Sequence, residues 1–477
     1  MINNGRRTKM VCTLGPSTDS AEMVEKLIRA GMNVVRLNFS HGDHEGHLRN
    51  INRVREISDR LGENIAILMD LQGPKIRTGR MKDDGVYLEK DSEIILTPDD
   101  VPGDQKMVPV DYPYLMQDVE PGNTILLDDG LLELRITGLS EAGINARVIH
   151  GGLLKSRKGV NLPDVKTSVP ALTDKDRMDL QFGLSHGVDF VAISFVRSAD
   201  DVRDLVDQVR LQESQAGIIA KIEKPEALNE IDAIIELADG VMIARGDLGI
   251  ELSSEKVPLI QKQIIRRCKM AGKPVITATQ MLESMMQNPR PTRAESSDVA
   301  NAVLDGTDAV MLSGESAVGK YPLAAVETMD KICRTVEANA RNIYYTLEFT
   351  RPEWKEKQII ESISHACVTI GEAIEARAIA TITHTGRTAH RIAKFRPGVP
   401  VIAFTESIEV YRQLNLLWGV TPVWLETLYN TDESVRRMED YLREAGLVRK
   451  GDRVVIATGM PVPRRGSTNM IKVSKIE

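Results

Sequence analysis

The chain has 477 residues, more than one hydrophobic core commonly serves, so several domains are expected. Its 61 Lys and Arg against 68 Asp and Glu leave a formal net charge of −7 with the signs interspersed, which excludes the clustered basic face of a nucleic-acid binder, and no apolar run approaches the ~20 residues of a membrane span. An N-terminus without an apolar secretory core, and four scattered cysteines (Cys12, Cys268, Cys333, Cys367) with neither metal spacing nor a disulfide framework, set the expectation of a cytoplasmic protein with free thiols.

Short apolar runs then alternate with helical patterns. "KMVCTLGP" precedes the helix-periodic "DSAEMVEKLIRAGM", "NVVRLNFSHG" precedes "HLRNINRVREISDRLG", and "IAILMDLQGPKIRTG" follows. Beyond them come "VDFVAISFV", "GIIAKIEKPEAL", "DGVMIARGDLG", "KPVITATQML" and "TDAVMLSGES". Continuous apolar runs of this length read as parallel strands covered on both faces, and the helices between them make each a βα unit. Three such units precede residue 75 and five follow residue 188, a count of eight that predicts a (β/α)8 TIM barrel. Between them, "DGVYLEKDSEIILTPDD", "GNTILLDDGLLELRITGL" and "GINARVIHGGLL" alternate with Gly turns and predict a small β domain inside a βα loop. Helical pattern resumes at Thr173, a good N-cap. After "EFTRPEWKEKQ" a helix and the runs "AIATITHTGRT", "VPVIAFTES", "VTPVWLET", "DRVVIATGM" and "MIKVSKI" predict an open α/β domain. The expected division is 1–74 with 170–345 for the barrel, 75–169 for the inserted β domain, and 346–477 for the C-terminal domain.

In a barrel, polar residues at the C-terminal strand ends are the site candidates. The second strand ends in Arg36, Asn38, Ser40 and His41; the third in Asp70, then Lys75 and Arg77; the fifth in Lys221 and Glu223. The sixth ends in Arg245, Gly246 and Asp247, the seventh in Thr279 and Gln280, the eighth in Ser313, Gly314 and Glu315. Alternate residues of a strand share a side, so Lys221 and Glu223 point together. Glu223 and Asp247, from neighbouring strands, suit Mg²⁺, which takes oxygen ligands and keeps positions for substrate. Arg36 and Lys221 suit an anionic phosphoryl group, and the set reads as metal-assisted phosphoryl transfer. His41, His44 and His47 are expected to be solvated loop residues, not a metal cluster. "THTGRT" (Thr383–Thr388), a strand passing through Gly into a helix start, reads as a phosphate nest, and "PRRGSTN" adds Arg464 and Arg465.

"NVVRLNFSHG", "GPKIRTG", "AKIEKPEAL", "ARGDLGIE", "TATQMLESM", "PTRAESSDVANAVLDGTDAVMLSGESA" and the late "GSTN" together resemble the pyruvate kinase family, over essentially the whole chain. The resemblance implies transfer of the phosphoryl group of phosphoenolpyruvate to ADP, giving pyruvate and ATP. It implies Mg²⁺ on Glu223 and Asp247, Lys221 and Arg36 on the phosphoryl group, and the Gly246 and Asp247 amides with the Thr279 hydroxyl on the carboxylate. Asn38, His41, Arg77, Lys158 and Lys175 match the ADP side; Ser313 and Glu315 match a network linked to enolate protonation, with Thr279 and a water chain both open as donor. The inserted β domain matches a small β-barrel lid. Many members carry Thr-Lys-Gly-Pro-Glu where this chain has Leu71, Gln72, Gly73, Pro74 and Lys75, and bind K⁺ at positions matching Asn38, Ser40, Asp70 and the Leu71 carbonyl. A Lys75 ammonium near that position sets the expectation that K⁺ is not required. By resemblance, Thr383, Thr385, Gly386, Arg387, Thr388, Arg464, Arg465 and Gly466 form an effector site for a phosphorylated sugar or AMP, and the protein is a cytoplasmic homotetramer with no nucleic-acid or membrane partner. Two other readings share parts of this pattern: another Mg²⁺-dependent enolate-handling barrel, such as an aldolase or lyase, and a non-catalytic metabolite sensor.

Overall fold

The computed structural model describes residues 5–339, 356–426, 431–459 and 468–477. Three strands open the chain: β1 (Lys9–Thr13), β2 (Val34–Asn38) and β3 (Ala66–Asp70). An inserted β region follows, with β4 (Val86–Leu88), β5 (Glu93–Thr97), β6 (Met107–Pro109), β7 (Thr124–Leu127), β8 (Leu132–Ser140), β9 (Gly143–His150), β10 (Gly152–Leu154) and β11 (Val160–Asn161). Then come β12 (Phe190–Ile193), β13 (Gly217–Ile222), β14 (Gly240–Ala244), β15 (Val275–Ala278) and β16 (Ala309–Leu312). The C-terminal part adds β17 (Ala378–Ile382), β18 (Val401–Thr405), β19 (Val420–Trp424), β20 (Arg453–Thr458) and β21 (Met470–Lys475).

β1–β3 and β12–β16 close into an eight-stranded parallel barrel in the order β1-β16-β15-β14-β13-β12-β3-β2. The apolar runs do this because both faces of each strand are covered. Val11, Val34, Leu68, Phe190, Ile219, Met242, Ile276 and Met311 fill the interior, while the alternate residues pack outward on the helices. The helix Asp174–Ser185 that resumes the barrel starts at Thr173, whose side chain forms a capping box with Asp176.

The inserted region has its own core, built from Leu88, Leu96, Ile125, Leu134, Ala146 and Val148 among others. Six of its strands form one sheet, β11-β7-β8-β9-β5-β6, and β10 pairs with β4. The C-terminal sheet runs β19-β18-β17-β20-β21, with only β21 antiparallel. This sheet docks below the barrel, at the N-terminal ends of its strands. Leu416 enters the barrel's interior cluster, Lys9 Nζ donates to the Val420 carbonyl at 2.7 Å, and Arg396 pairs with Asp308 at 2.9 Å under the Trp418 ring. The four cysteines are free and buried. Among the described residues no helix is long and apolar enough to cross a membrane.

Candidate active site

Barrel parity builds the floor of the site. Val34, Leu68, Ala192 and Ile219 face the interior. Two residues further along the same strands, and therefore on the same side, stand Arg36, Asp70, Ser194 and Lys221. They meet. Arg36 Nε donates to Asp70 Oδ2 at 2.6 Å, Lys221 Nζ lies 3.1 Å from Asp70 Oδ1 and 2.9 Å from Glu223 Oε1, and it donates to Ser194 Oγ at 2.7 Å. Asp70 is fully buried, and Glu223 and Lys221 nearly so. Burial alone would discharge these groups. For Lys221, burial pulls the ammonium pKa down, but Asp70 and Glu223 overcome it and hold the pKa above its ordinary value. For Asp70, burial pushes up, while Lys221 and Arg36 pull the net value below the ordinary one. The result is a fixed, dehydrated positive charge at the mouth.

Glu223 is aimed by the backbone. Phe195, at a positive φ of 56°, turns its N–H onto Glu223 Oε2 at 2.7 Å, while Oε1 takes Lys221. The Glu223 carboxyl is nevertheless raised: burial is the main cause, and the Asp247 carboxylate adds to it against Lys221. Asp247 sits in the first turn of the helix Arg245–Glu251 and is half-buried; its ion pair is with Lys75, 3.8 Å from Oδ1. Two carboxylates that repel each other, one of them buried, form a donor set that a hard divalent cation fits. Among the described residues no three His, Cys, Asp or Glu cluster as a metal site, so this pair would leave other positions of such a cation to substrate oxygens and water.

Across the mouth, Thr279 and Gln280 both take positive φ, 63° and 54°. A β-branched residue rarely adopts that conformation, so something must impose it. Arg245 does: its guanidinium donates to the Thr279 carbonyl at 2.7 Å and pairs with Asp298, also at 2.7 Å. The strained turn brings Thr279 Oγ1 to the Gly246 amide at 2.7 Å. Gly246 and Thr279, two of the three residues expected to receive a carboxylate, are thus in contact, and Asp247 follows Gly246 in the same helix. Glu315 accepts the amides of Leu282 at 3.0 Å and Ser313 at 2.8 Å, which ties the loop after β15 to β16; the Ser313 hydroxyl is buried without a partner.

On the other side, Asn38 Oδ1 accepts the Ser40 amide at 3.1 Å. His41 is exposed; partial burial, then Arg77, Arg36 and Lys75, lower its pKa, so these cations surround it. Lys175 Nζ bonds the Phe39 carbonyl at 2.9 Å and Asp179 at 2.5 Å, and Lys158 pairs with Asp128 at 2.8 Å. Both neighbouring histidines stand in the helix His44–Leu61 rather than in a loop; His44 is exposed as expected, and His47 is not. His47 is buried, with its ring stacked on Phe39 at 3.9 Å, and His44 stacks on Phe182 at 4.2 Å and bonds Asp179. The turn between Asp70 and Lys75 passes through Gly73 at φ 67°, where a side chain would strike Ser194 and Phe195.

In the C-terminal part, Gly386 (φ 77°) turns the chain from Thr383 into the helix Arg387–Ala393, and Thr388 Oγ1 lies 2.7 Å from Thr468 Oγ1. Thr385 and Arg387 line a cavity that faces the barrel. Arg464, Arg465 and Gly466 lie outside the described residues.

Sequence reasoning passed over two contributors and gave a third no role. Ser194 both receives Lys221 and donates to the Leu71 carbonyl at 2.7 Å; its place at the end of an inward-facing strand was the available signal. Arg245 was noted only as a strand-end residue. Glu251 accepts Lys224 Nζ at 2.6 Å and the Asn161 side-chain amide at 2.8 Å, fastening β11 of the inserted region to the barrel, and no local motif marks it.

Comparison with known proteins identifies the family to which both domains are similar. The family model described as "Pyruvate kinase, barrel domain" matches residues 5–326, and that described as "Pyruvate kinase, alpha/beta domain" matches residues 361–474. The chain is 47% identical over 474 residues to a pyruvate kinase of Geobacillus stearothermophilus, covering 99% of this chain and 80% of that one. It is 47% identical over 471 residues to a pyruvate kinase of Staphylococcus saprophyticus, covering 98% and 80%. A solved pyruvate kinase structure from Cryptosporidium parvum superposes with a TM-score of 0.93 at 36% identity, covering 100% of this chain and 98% of that one.

Proposed function

This chain belongs to the pyruvate kinase family, and on that premise we propose that it transfers the phosphoryl group of phosphoenolpyruvate to ADP at the barrel mouth, with Mg²⁺ on Glu223 and Asp247 and no need of K⁺. The observation that carries the proposal is Lys221, an ammonium held charged and dehydrated between Asp70 and Glu223. Phosphoryl transfer asks the protein mainly for positioning and charge compensation, and this residue supplies both.

The substrate carboxylate is received by Thr279 and the Gly246 and Asp247 amides. The bond between Thr279 Oγ1 and the Gly246 amide opens on binding, so both groups turn to the substrate. Arg36 and Lys221 face the phosphoryl oxygens. Bound Mg²⁺ supplies electrophilic polarisation of phosphoryl and enolate oxygens. Arg77, Lys158, Lys175, Asn38 and His41 orient ADP from the other side, and Lys75 gives the site a fixed cation in place of K⁺. As the phosphoryl group moves, Lys221 compensates charge on its equatorial oxygens. The enolate left behind takes a proton at carbon, given by the Thr279 hydroxyl or by a water chain on the side of Ser313 and Glu315.

Residues 75–169 serve as a lid that excludes water during transfer. The segments Thr383–Thr388 and Arg464–Gly466 bind a phosphorylated sugar or AMP as activator, and the protein works as a cytoplasmic homotetramer. The direct test is pyruvate formation from phosphoenolpyruvate and ADP with Mg²⁺. Glu223→Gln and Asp247→Asn are each expected to raise the Mg²⁺ concentration needed for half-maximal rate; a rate unchanged in its Mg²⁺ dependence would remove both residues from the metal site.

A further inference from the structure

The end of β12 places one buried hydroxyl in the floor of the site. Ser194 directly follows the strand and stands between the ends of its two neighbours, β3 and β13. A serine hydroxyl has one hydrogen to give and two lone pairs. The Ser194 hydrogen goes to the Leu71 carbonyl, 2.7 Å from Oγ, since the other acceptor within reach, Asp70 Oδ1, is 3.5 Å away. That choice leaves the lone pairs for Lys221, whose Nζ donates to Oγ at 2.7 Å.

An ammonium has three hydrogens, on a stem of four flexible carbons. Around Lys221 Nζ stand three acceptors: Ser194 Oγ, Glu223 Oε1 at 2.9 Å and Asp70 Oδ1 at 3.1 Å. The two carboxylates keep the group charged, but two contacts alone leave it free to swing about the line that joins them. The third contact removes that freedom. A neutral acceptor suits this place, because Arg36 and Lys221 already face Asp70 and Glu223, and a third carboxylate would cancel the charge a phosphoryl group needs. Ser194 is itself pinned. Leu71 ties it to the residue after β3, and Gly73 passes so close that a Cβ there would lie 2.9 Å from Ser194 Cβ. The adjoining Phe195 amide holds Glu223 Oε2 separately, so the end of β12 grips Lys221 by a side chain and Glu223 by the backbone.

Resting on the proposed reaction at this site, we infer that Ser194 is a positioning residue: its hydroxyl, oriented by the Leu71 carbonyl, holds the Lys221 ammonium in the direction from which it meets the phosphoryl group in transfer. Ser194 acts through Lys221. It also joins that ammonium to the turn that leads from Leu71 to Lys75, so the two cations of the mouth are set by one hydroxyl.

The test is steady-state pyruvate formation by the full chain carrying Ser194→Ala, and Ser194→Cys, which keeps the volume but accepts hydrogen bonds poorly. Both are expected to lower kcat by about tenfold or more, as loss of a hydrogen bond to a charged group implies, with little change in the KM for phosphoenolpyruvate. The Mg²⁺ concentration for half-maximal rate should stay that of the parent chain, because the Phe195 amide still aims Glu223. Repeated on Lys221→Met, the Ser194→Ala change should lower kcat by less than about twofold, since the group it positions is gone. A parental kcat in Ser194→Ala or in Ser194→Cys would overturn the role. So would an equal loss on the Lys221→Met background, or a raised Mg²⁺ requirement, either of which would make Ser194 a support for the turn as a whole. If the parent chain forms no pyruvate, the proposed function fails and this role with it; if the parent is active and the Ser194 variants match it, only the role of Ser194 falls.

Discussion

The Lys75 ammonium lies 3.8 Å from the Asp247 carboxylate and makes no ion pair with Asp70, whose oxygens are taken by Arg36 and Lys221. The positive charge carried by this turn therefore stands on the metal-carboxylate side of the mouth. Both side chains are about a third exposed, so the pair itself contributes at most about 1 kcal/mol and is easily exchanged for contact with a bound anion. We expect full activity in buffers whose only monovalent cation is tetramethylammonium. Lys75→Glu should lose most of that activity and regain it with K⁺. Wild-type activity that appears only with K⁺ would contradict the role given to Lys75.

The Glu223 carboxyl is raised above its ordinary value of 4.5 by burial and by Asp247, against the pull of Lys221. A raised carboxyl holds its proton more tightly in the folded chain than in the unfolded one. Its contribution to stability is therefore present below the unfolded value and is lost as pH rises through the folded one. Mg²⁺ needs the ionised form. The thermal stabilisation given by Mg²⁺ should grow from acid to neutral pH, and Glu223→Gln should flatten that growth. An equal Mg²⁺ effect at both ends of the range in the parent chain would show that Glu223 is not the titrating ligand.

Glu251 joins the inserted region to the barrel through Asn161 and Lys224, and it shares a short helix with Asp247. Glu251→Ala leaves a buried Lys224 without its partner, at a cost of about 3–5 kcal/mol. Asn161→Ala removes one neutral donor from a charged acceptor, at a cost of about 2 kcal/mol. Limited proteolysis should cut within 75–169 faster in both variants, and more so in the first. Unchanged cutting would mean that this bond does not govern the attachment of the inserted region.

Much of this was legible in the sequence because the barrel imposes a simple grammar. Apolar runs marked the eight strands, and a period of two placed Lys221 and Glu223 on one side before any coordinates. Thr173 declared its helix by a local capping pattern. What stayed hidden depends on partners far apart in the chain. Asn161 and Glu251 are 90 positions apart, and neither carries a local signal of the other. The Lys75 partner could not be chosen because Gly73 sets the direction of the turn only against Ser194 and Phe195, which arrive from another strand. His47 looked solvated in a run of polar residues, but Phe39 gives it a ring surface to stack on.

Lys9 is buried in β1 with its Nζ on the Val420 carbonyl, and burial lowers its pKa from 10.5 to about 7. The unfolded chain binds this proton more tightly than the folded one. Stability therefore rises as pH increases from about 7 towards 10.5, and below about 7, where Lys9 is charged in both states, this contribution no longer changes with pH. Lys9→Met should remove this slope from the difference between the two melting curves, leaving the other groups common to both. A difference that does not vary with pH would mean that Lys9 keeps its ordinary pKa in the fold.

The most direct measurement of the central claim is the steady-state rate of Lys221→Met with phosphoenolpyruvate, ADP and Mg²⁺, on protein whose fold is checked by its circular dichroism. If the ammonium between Asp70 and Glu223 stabilises the phosphoryl group in transit, kcat should fall by about 10³-fold with little change in the KM for phosphoenolpyruvate. A kcat within about tenfold of the parent chain, with only KM raised, would contradict it and reduce Lys221 to a binding contact.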